Sequence, residues 1–351
     1  MITELISWLR EKGAPLHPGA TDQELAQLTE ALGAPLPDDI VALYRDHNGM
    51  GEWLYSEEEE DEHEADEGYG GQFFRLMTIA EVLDVGNFIY DDLAFSVALR
   101  ACIPDRWGCF WTDDESNHLF LWLDGPLQGR VGLLMHADTC YPVLFRSLES
   151  FLRAQKRAGH RGFAYGALTG DYPPQQTTAS PVEEQGVVAQ LQLLLQDETD
   201  SDERLMASRL ICLLLPWEQS AELIPLLDDR DFYVAEDAAE SLGKRRYGPA
   251  VEALRRAILA KRPNVPSAAA KALCQIATPE AIEAIFASPA GYFRSASDPW
   301  RVAEAMIEAG YRFRPGSPKP EYCAPSSDTW HPFTFPCPNK ILYPERFQDA
   351  S

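Results

Sequence analysis

Four groups of residues carry enough polar chemistry to be weighed as sites. The first is the run from Glu57 to Glu67, in which nine of eleven positions are acidic. Carboxylates at this density attract cations or a basic protein surface. A calcium loop needs spaced Asp or Asn ligands around a central glycine, and the run has neither. Trp53, Tyr55 and Tyr69 flank it. In an interface, charge steers the encounter and aromatic rings anchor it. The candidate partner-binding set is therefore Trp53, Tyr55, Glu57, Glu58, Glu59, Glu60, Asp61, Glu62, Glu64, Asp66, Glu67 and Tyr69. The plain alternative is a solvated loop held open by its own repulsion.

The second group, His136, Asp138 and Cys140, alternates as residues on one side of a strand do. A tetrahedral metal site needs a fourth ligand and an oriented outer layer, and no such cluster is visible. Ordinary strand-end residues are the simpler expectation. The third group is Asp113, Asp114 and Glu115, between WGCFW and NHLFLW. A hairpin turn explains them better than an acid/base pair. The fourth, Asp228, Asp229 and Asp231, suits helix capping and turn formation, with one edge of a binding surface as the alternative. Cys109, among aromatic residues, reads as a buried core thiol. The patterns GxSxG, Walker A, GxGxxG and HExxH do not occur. No catalytic residue, metal or cofactor is expected.

The elements that hold these residues are legible in part. Thr21 and Glu24 form a capping box, Leu25, Leu28 and Leu32 share a helical face, and Gly33 ends the helix. Pro37-Asp38 opens another helix with Ile40, Leu43 and Tyr44 toward a core, and Asn48-Gly49 stops it. From Gln72 to about Tyr141 the texture is strand-like: FFRLMTI, HLFLWLD and RVGLLMH are short apolar runs divided by turn residues. A helix, SLESFLRAQKRA, closes this part near residue 158.

Residues 159–185 have the Gly-, Pro-, Thr- and Gln-rich composition of a linker. Beyond them the chain repeats itself. LQLLLQD at 191–197 aligns with LIPLLDD at 223–229, AVEAL at 250–254 with AIEAI at 281–285, and EDAAESLG at 236–243 with SAAAKALC at 267–274. Ala207, Ala239 and Ala270 are equivalent, as are Leu210, Leu242 and Leu273. A period near 31 with two helices per unit predicts stacked helical hairpins over 186–311, each supplying its neighbour's core. Residues 312–351 are Pro- and aromatic-rich without periodicity, and either cap the last repeat or stay loose.

The chain of 351 residues thus suits two domains. The expected fold is α+β at 1–158, a mainly antiparallel sheet flanked by helices, followed by an all-α array. Net charge is -25. Met1–Arg157 carries 29 acids and 11 bases, a net of -18, and the remainder 26 acids and 19 bases, a net of -7. Such a surface repels phosphate backbones, which argues against direct nucleic-acid binding, and attracts a basic partner. The N-terminus lacks a signal peptide's basic and apolar regions, and no apolar run reaches membrane-spanning length. Seven scattered cysteines without a CxxC pair suit reduced thiols in the cytoplasm.

Two resemblances add to this. LGAPLPDDIVALYRDHNGMGEW, residues 32–53, resembles the SMI1/KNR4 (SUKH) family in its Leu36-Pro37-Asp38 step into a helix that ends at Asn48-Gly49. The strands and the Ser147–Leu152 step into a closing helix follow in the same order. The acidic insert after Trp53 departs from the family pattern. LIPLLDDRDFYVAEDAAESLG, residues 223–243, resembles HEAT-like repeats of the phycobilisome-lyase type, with Ala235 where an arginine is usual. No bilin chemistry follows from that likeness. The first resemblance implies a bacterial immunity protein that binds and occludes a cognate basic toxin domain, such as a nuclease. The alternative it leaves is an intracellular scaffold or regulatory adaptor with an endogenous protein partner.

Overall fold

The structure is a computed structural model. It describes residues 2–51, 74–92, 106–114, 117–135, 139–157, 170–174, 181–197, 201–260, 262–289, 301–315, 319–325 and 327–335. The chain divides into two compact units, the first made of 1–172 with 180–196 and the second of 173–179 with 197–351.

The first unit begins with helices α1 (Ile2–Glu11), α2 (Asp22–Leu32) and α3 (Asp38–Asp46). Thr21 and Glu24 form the expected capping box on α2, and Gly33 ends that helix with φ of +63°. Strand β1 (Arg75–Leu76) leads into α4 (Ile79–Asp92). This helix lies where the sequence texture suggested strands. Its start is fixed by a second capping box: the Glu81 N–H donates to Thr78 Oγ1 at 3.2 Å, and the Thr78 N–H to Glu81 Oε2 at 2.6 Å.

Strands β2 (Trp107–Thr112), β3 (His118–Trp122), β4 (Val131–Met135) and β5 (Thr139–Phe145) complete an antiparallel sheet in the order β1-β2-β3-β4-β5. Alternation along β3 sends Leu119 and Leu121 into the main core with Ile40, Leu43, Tyr44, Phe145 and Phe151. Phe120 and Trp122 point to the other face, where Phe120 meets Trp107 with ring centroids 5.2 Å apart. A bulge between Cys109 and Trp111 lets Phe110 and Trp111 both join the main core. Helix α5 (Leu148–Arg157) closes that core through Phe151 and Leu152. Helix α6 (Val182–Asp197) falls almost wholly within this unit too.

The second unit is helical. Helix α7 (Ser201–Leu214) is followed by two 3₁₀ segments, Trp217–Leu223 and Pro225–Asp228, and then α8 (Phe232–Lys244). The repeat pattern puts an α-helix at 223–229, but Pro225 cannot donate an intrahelical hydrogen bond, and the backbone winds more tightly there. Helices α9 (Val251–Leu259), α10 (Val265–Ile276), α11 (Pro279–Ala287) and α12 (Arg301–Glu308) continue the array. Ala207, Ala239 and Ala270 are all buried, as their equivalence requires. Small residues let α8 and α10 approach closely. A Cβ on Gly243 would stand 2.7 Å from Ala272 Cα.

The C-terminal stretch adds a small antiparallel sheet of β6 (Arg312–Arg314), β7 (Glu321–Cys323) and β8 (His331–Pro332). Phe286 of α11 stacks on Tyr322 at 5.2 Å and packs with Phe335. Aromatic residues without periodicity thus cap the apolar end of the array.

Candidate partner-binding surface

The aromatic and acidic residues expected to meet a partner, Trp53 to Tyr69, lie outside the described residues, as do Glu115, His136 and Asp138. What the structure places is the frame on either side of residues 52–73. That segment carries ten acids and no Lys or Arg, more than half of the net charge of Met1–Arg157.

The frame brings the two flanks together. The Met50 N–H donates to the Leu76 carbonyl at 2.9 Å, and the Gly51 N–H to the Pro15 carbonyl at 2.9 Å. Leu16 and Met50 form an antiparallel bridge. Arg75 then ties the flanks by its side chain. One Nη1 bond reaches the Met50 carbonyl at 2.9 Å. Nε and Nη2 meet Asp114 at 2.9 and 2.6 Å, and Nη2 meets Glu81 at 2.8 Å. The guanidinium is buried between two half-exposed carboxylates. Burial alone would lower its pKa, but hydrogen bonds and charge from Asp114 and Glu81 outweigh that and raise it. Burial pushes Glu81 up, yet Arg75 and Thr78 together hold its pKa below the ordinary value.

Asn48 and Gly49 belong to the same frame. Asn48 Oδ1 accepts the Ile79 N–H at 2.9 Å, satisfying a free donor at the start of α4. Its Nδ2 reaches Glu24 at 3.3 Å. Gly49 has φ of +78°, and a Cβ there would stand 2.4 Å from the Thr78 nitrogen. The Asn-Gly pair therefore does more than stop α3: it seats α3 against the first turn of α4.

The hairpin reading of Asp113 and Asp114 agrees with the geometry. Asp113 accepts from Asn117 through backbone and side-chain nitrogens at 3.0 and 2.5 Å. Asp114 takes φ of +62° and turns to Arg75. That ion pair spans 39 residues, and no local pattern in the sequence announces it. Cys109 is buried, as a core thiol is.

In the second unit, Asp231 caps α8 by accepting the Tyr233 N–H at 2.9 Å. Asp229 accepts the Asp231 N–H at 2.9 Å and pairs with Arg204 at 2.5 Å. Its carbonyl accepts from Arg262. Asp231 is used inside the turn, and Asp229 also ties the turn to α7 through Arg204. A separate set links α7 to α8 and α8 to α10 and its N-cap: Arg209–Asp237 at 3.3 Å, Asn264–Glu236 at 3.3 Å and Lys271–Glu240 at 3.2 Å. Burial lifts Asp237 to about 6, against the pull of Arg209.

Arg245 is the largest surprise of this unit. It is fully buried and, among the described residues, hydrogen-bonds no carboxylate; its nitrogens donate to the carbonyls of Cys212, Leu215 and Pro216 and to Ser220 and Ser241. It satisfies free carbonyls where α7 ends, and a cation suits the negative end of the helix dipole. Burial lowers its pKa to about 10.

Among the described residues no group of three His, Cys, Asp or Glu could hold a metal ion, and no helix is long and apolar enough to cross a membrane. Residues 19–154 match the SMI1/KNR4 family (SUKH-1), and residues 220–307 match HEAT repeats, in that order. No curated protein matches the chain. SUKH and HEAT families are generally non-catalytic binding domains, so the pairing points to protein partners and suggests an immunity-protein-like role.

Proposed function

We propose that this protein is a cytoplasmic immunity protein that binds a basic toxin domain, a nuclease being the class that fits best, and blocks its working surface. The SUKH match over residues 19–154 carries this reading. The charge supports it, because acidity is concentrated in the same domain and ten of its acids fall in the one segment 52–73. A nuclease presents cations to nucleic acid, and an acidic protein competes for that surface. The mechanism is stoichiometric occlusion. Trp53, Tyr55 and Tyr69 anchor the contact, while Glu57–Glu60, Asp61, Glu62, Glu64, Asp66 and Glu67 steer it. The HEAT array favours a second reading, an adaptor for an endogenous protein, since such arrays present extended binding surfaces.

Association kinetics test the first reading. The probe is the C-terminal domain of the polypeptide encoded beside this gene. Its association rate should fall about tenfold between low and high salt, with dissociation nearly unchanged. Changing Glu57, Glu58, Glu59 and Glu60 together to Gln should slow association in the same way. A complex with salt-independent association, equally fast in the variant, removes the acidic segment from the interface. No complex at all makes the adaptor reading the better one.

A further inference from the structure

The composition of 159–185 suits a linker, yet two stretches within or beside it are built into the first unit. Strand β5 is an edge of the sheet. An open edge presents unpaired N–H and C=O groups to any other strand. Here the Asp171 N–H donates to the Leu144 carbonyl of β5 at 2.8 Å, and the Asp171 carboxylate accepts the Arg146 N–H at 2.8 Å. Next to it, the Tyr172 ring lies 5.7 Å from the Arg146 guanidinium.

Helix α6 is tied to the same place by charge. Glu184, in its first turn, is wholly buried. Its Oε1 accepts from Arg130 Nε at 2.9 Å and from the Tyr172 hydroxyl at 2.5 Å. Arg130 immediately precedes β4, so one carboxylate joins the sheet, the edge-covering segment and the helix. Val187, Val188 and Leu191 extend the same buried stripe, while Leu193 on another face is 64% exposed.

We propose that Gly170–Tyr172 and helix α6 form a strap that covers the β5 edge of the sheet, held by a latch of Arg130, Tyr172 and Glu184. The strap is a separable element: its latch is polar and concentrated in three side chains. Opening it uncovers the β5 edge for pairing with another strand, so the latch sets whether that edge is available. Loss of one member of the Arg130–Glu184 pair leaves the other without compensation, which loosens the whole latch.

Hydrogen exchange on the full chain tests this. In Glu184→Ala, the Asp171, Val187 and Val188 amides should exchange about a hundredfold faster, with the β3 and α8 amides unchanged. Tyr172→Phe removes one hydroxyl, keeps the ring, and should accelerate the same amides by about tenfold. If Glu184→Ala does not fold, Tyr172→Phe alone decides. Unchanged exchange in the strap overturns the proposal. So does an equal acceleration in β3, because the three residues would then be part of one cooperative core with no separable strap.

Discussion

Individual residues show which charges are structural and which are free to act. Arg75 holds both flanks of the acidic segment, so Arg75→Met should destabilise the first unit by about 3 kcal/mol, read as a lower urea midpoint. Two titrations have opposite effects in the two units. Burial lowers the pKa of His47, although the neighbouring Asp46 opposes it. Its unfolded form therefore takes up a proton first, and His47 contributes stability that is present above about pH 6.5 and lost on acidification. Asp237 is the reverse. Its folded pKa of about 6 exceeds the unfolded value, so its contribution is greatest at low pH and is lost as pH rises through about 6. Asp237→Asn should raise the melting temperature of the array at pH 7.5 and flatten its dependence on pH between about 4 and 6. Thermal unfolding at stepped pH, followed separately in the two units, measures both. Pairs such as Arg75–Asp114 and Arg204–Asp229 are distant in the chain, and nothing in residue type or spacing distinguishes them from solvated charges.

Among the elements, local chemistry is legible wherever it is complete within a few residues. Thr21, Glu24 and Gly33 bound α2 as their types require. Thr78-Ile-Ala-Glu81 is an equally good capping signal, and it was obscured by the apolar run FFRLMTI around it. Proline at 225 opens the second of the two 3₁₀ segments that stand where the repeat pattern puts an α-helix. Close packing between elements has no such local sign. Gly243→Ala inserts a methyl group against Ala272 and should cost about 2 kcal/mol of array stability by overpacking. Gly49→Ala should cost at least as much, because it adds a left-handed backbone penalty to a clash with Thr78. Denaturant melts of each variant, with the slope against denaturant unchanged, verify the effect. The aromatic contacts between α11 and the C-terminal stretch illustrate the opposite limit: Phe286, Tyr322 and Phe335 come together only through tertiary packing.

At the scale of the whole molecule, a segment that matches the SMI1/KNR4 family and one that matches HEAT repeats are joined in one acidic chain. The period near 31 and the Leu36–Gly49 segment made both visible in the sequence. The candidate interface was legible as composition, nine acids in eleven positions between aromatic residues, and the frame that gathers its flanks was not. That difference has a physical basis: charge density is a property of sequence, whereas Arg75 acquires its role only when β1, α4 and the β2–β3 turn meet. The most direct test is co-expression of this protein with the C-terminal domain encoded beside its gene. The account predicts that growth is arrested by the neighbour alone and restored by co-expression, with a one-to-one complex recovered. A harmless neighbour, or growth arrest that persists although both proteins are made, contradicts it.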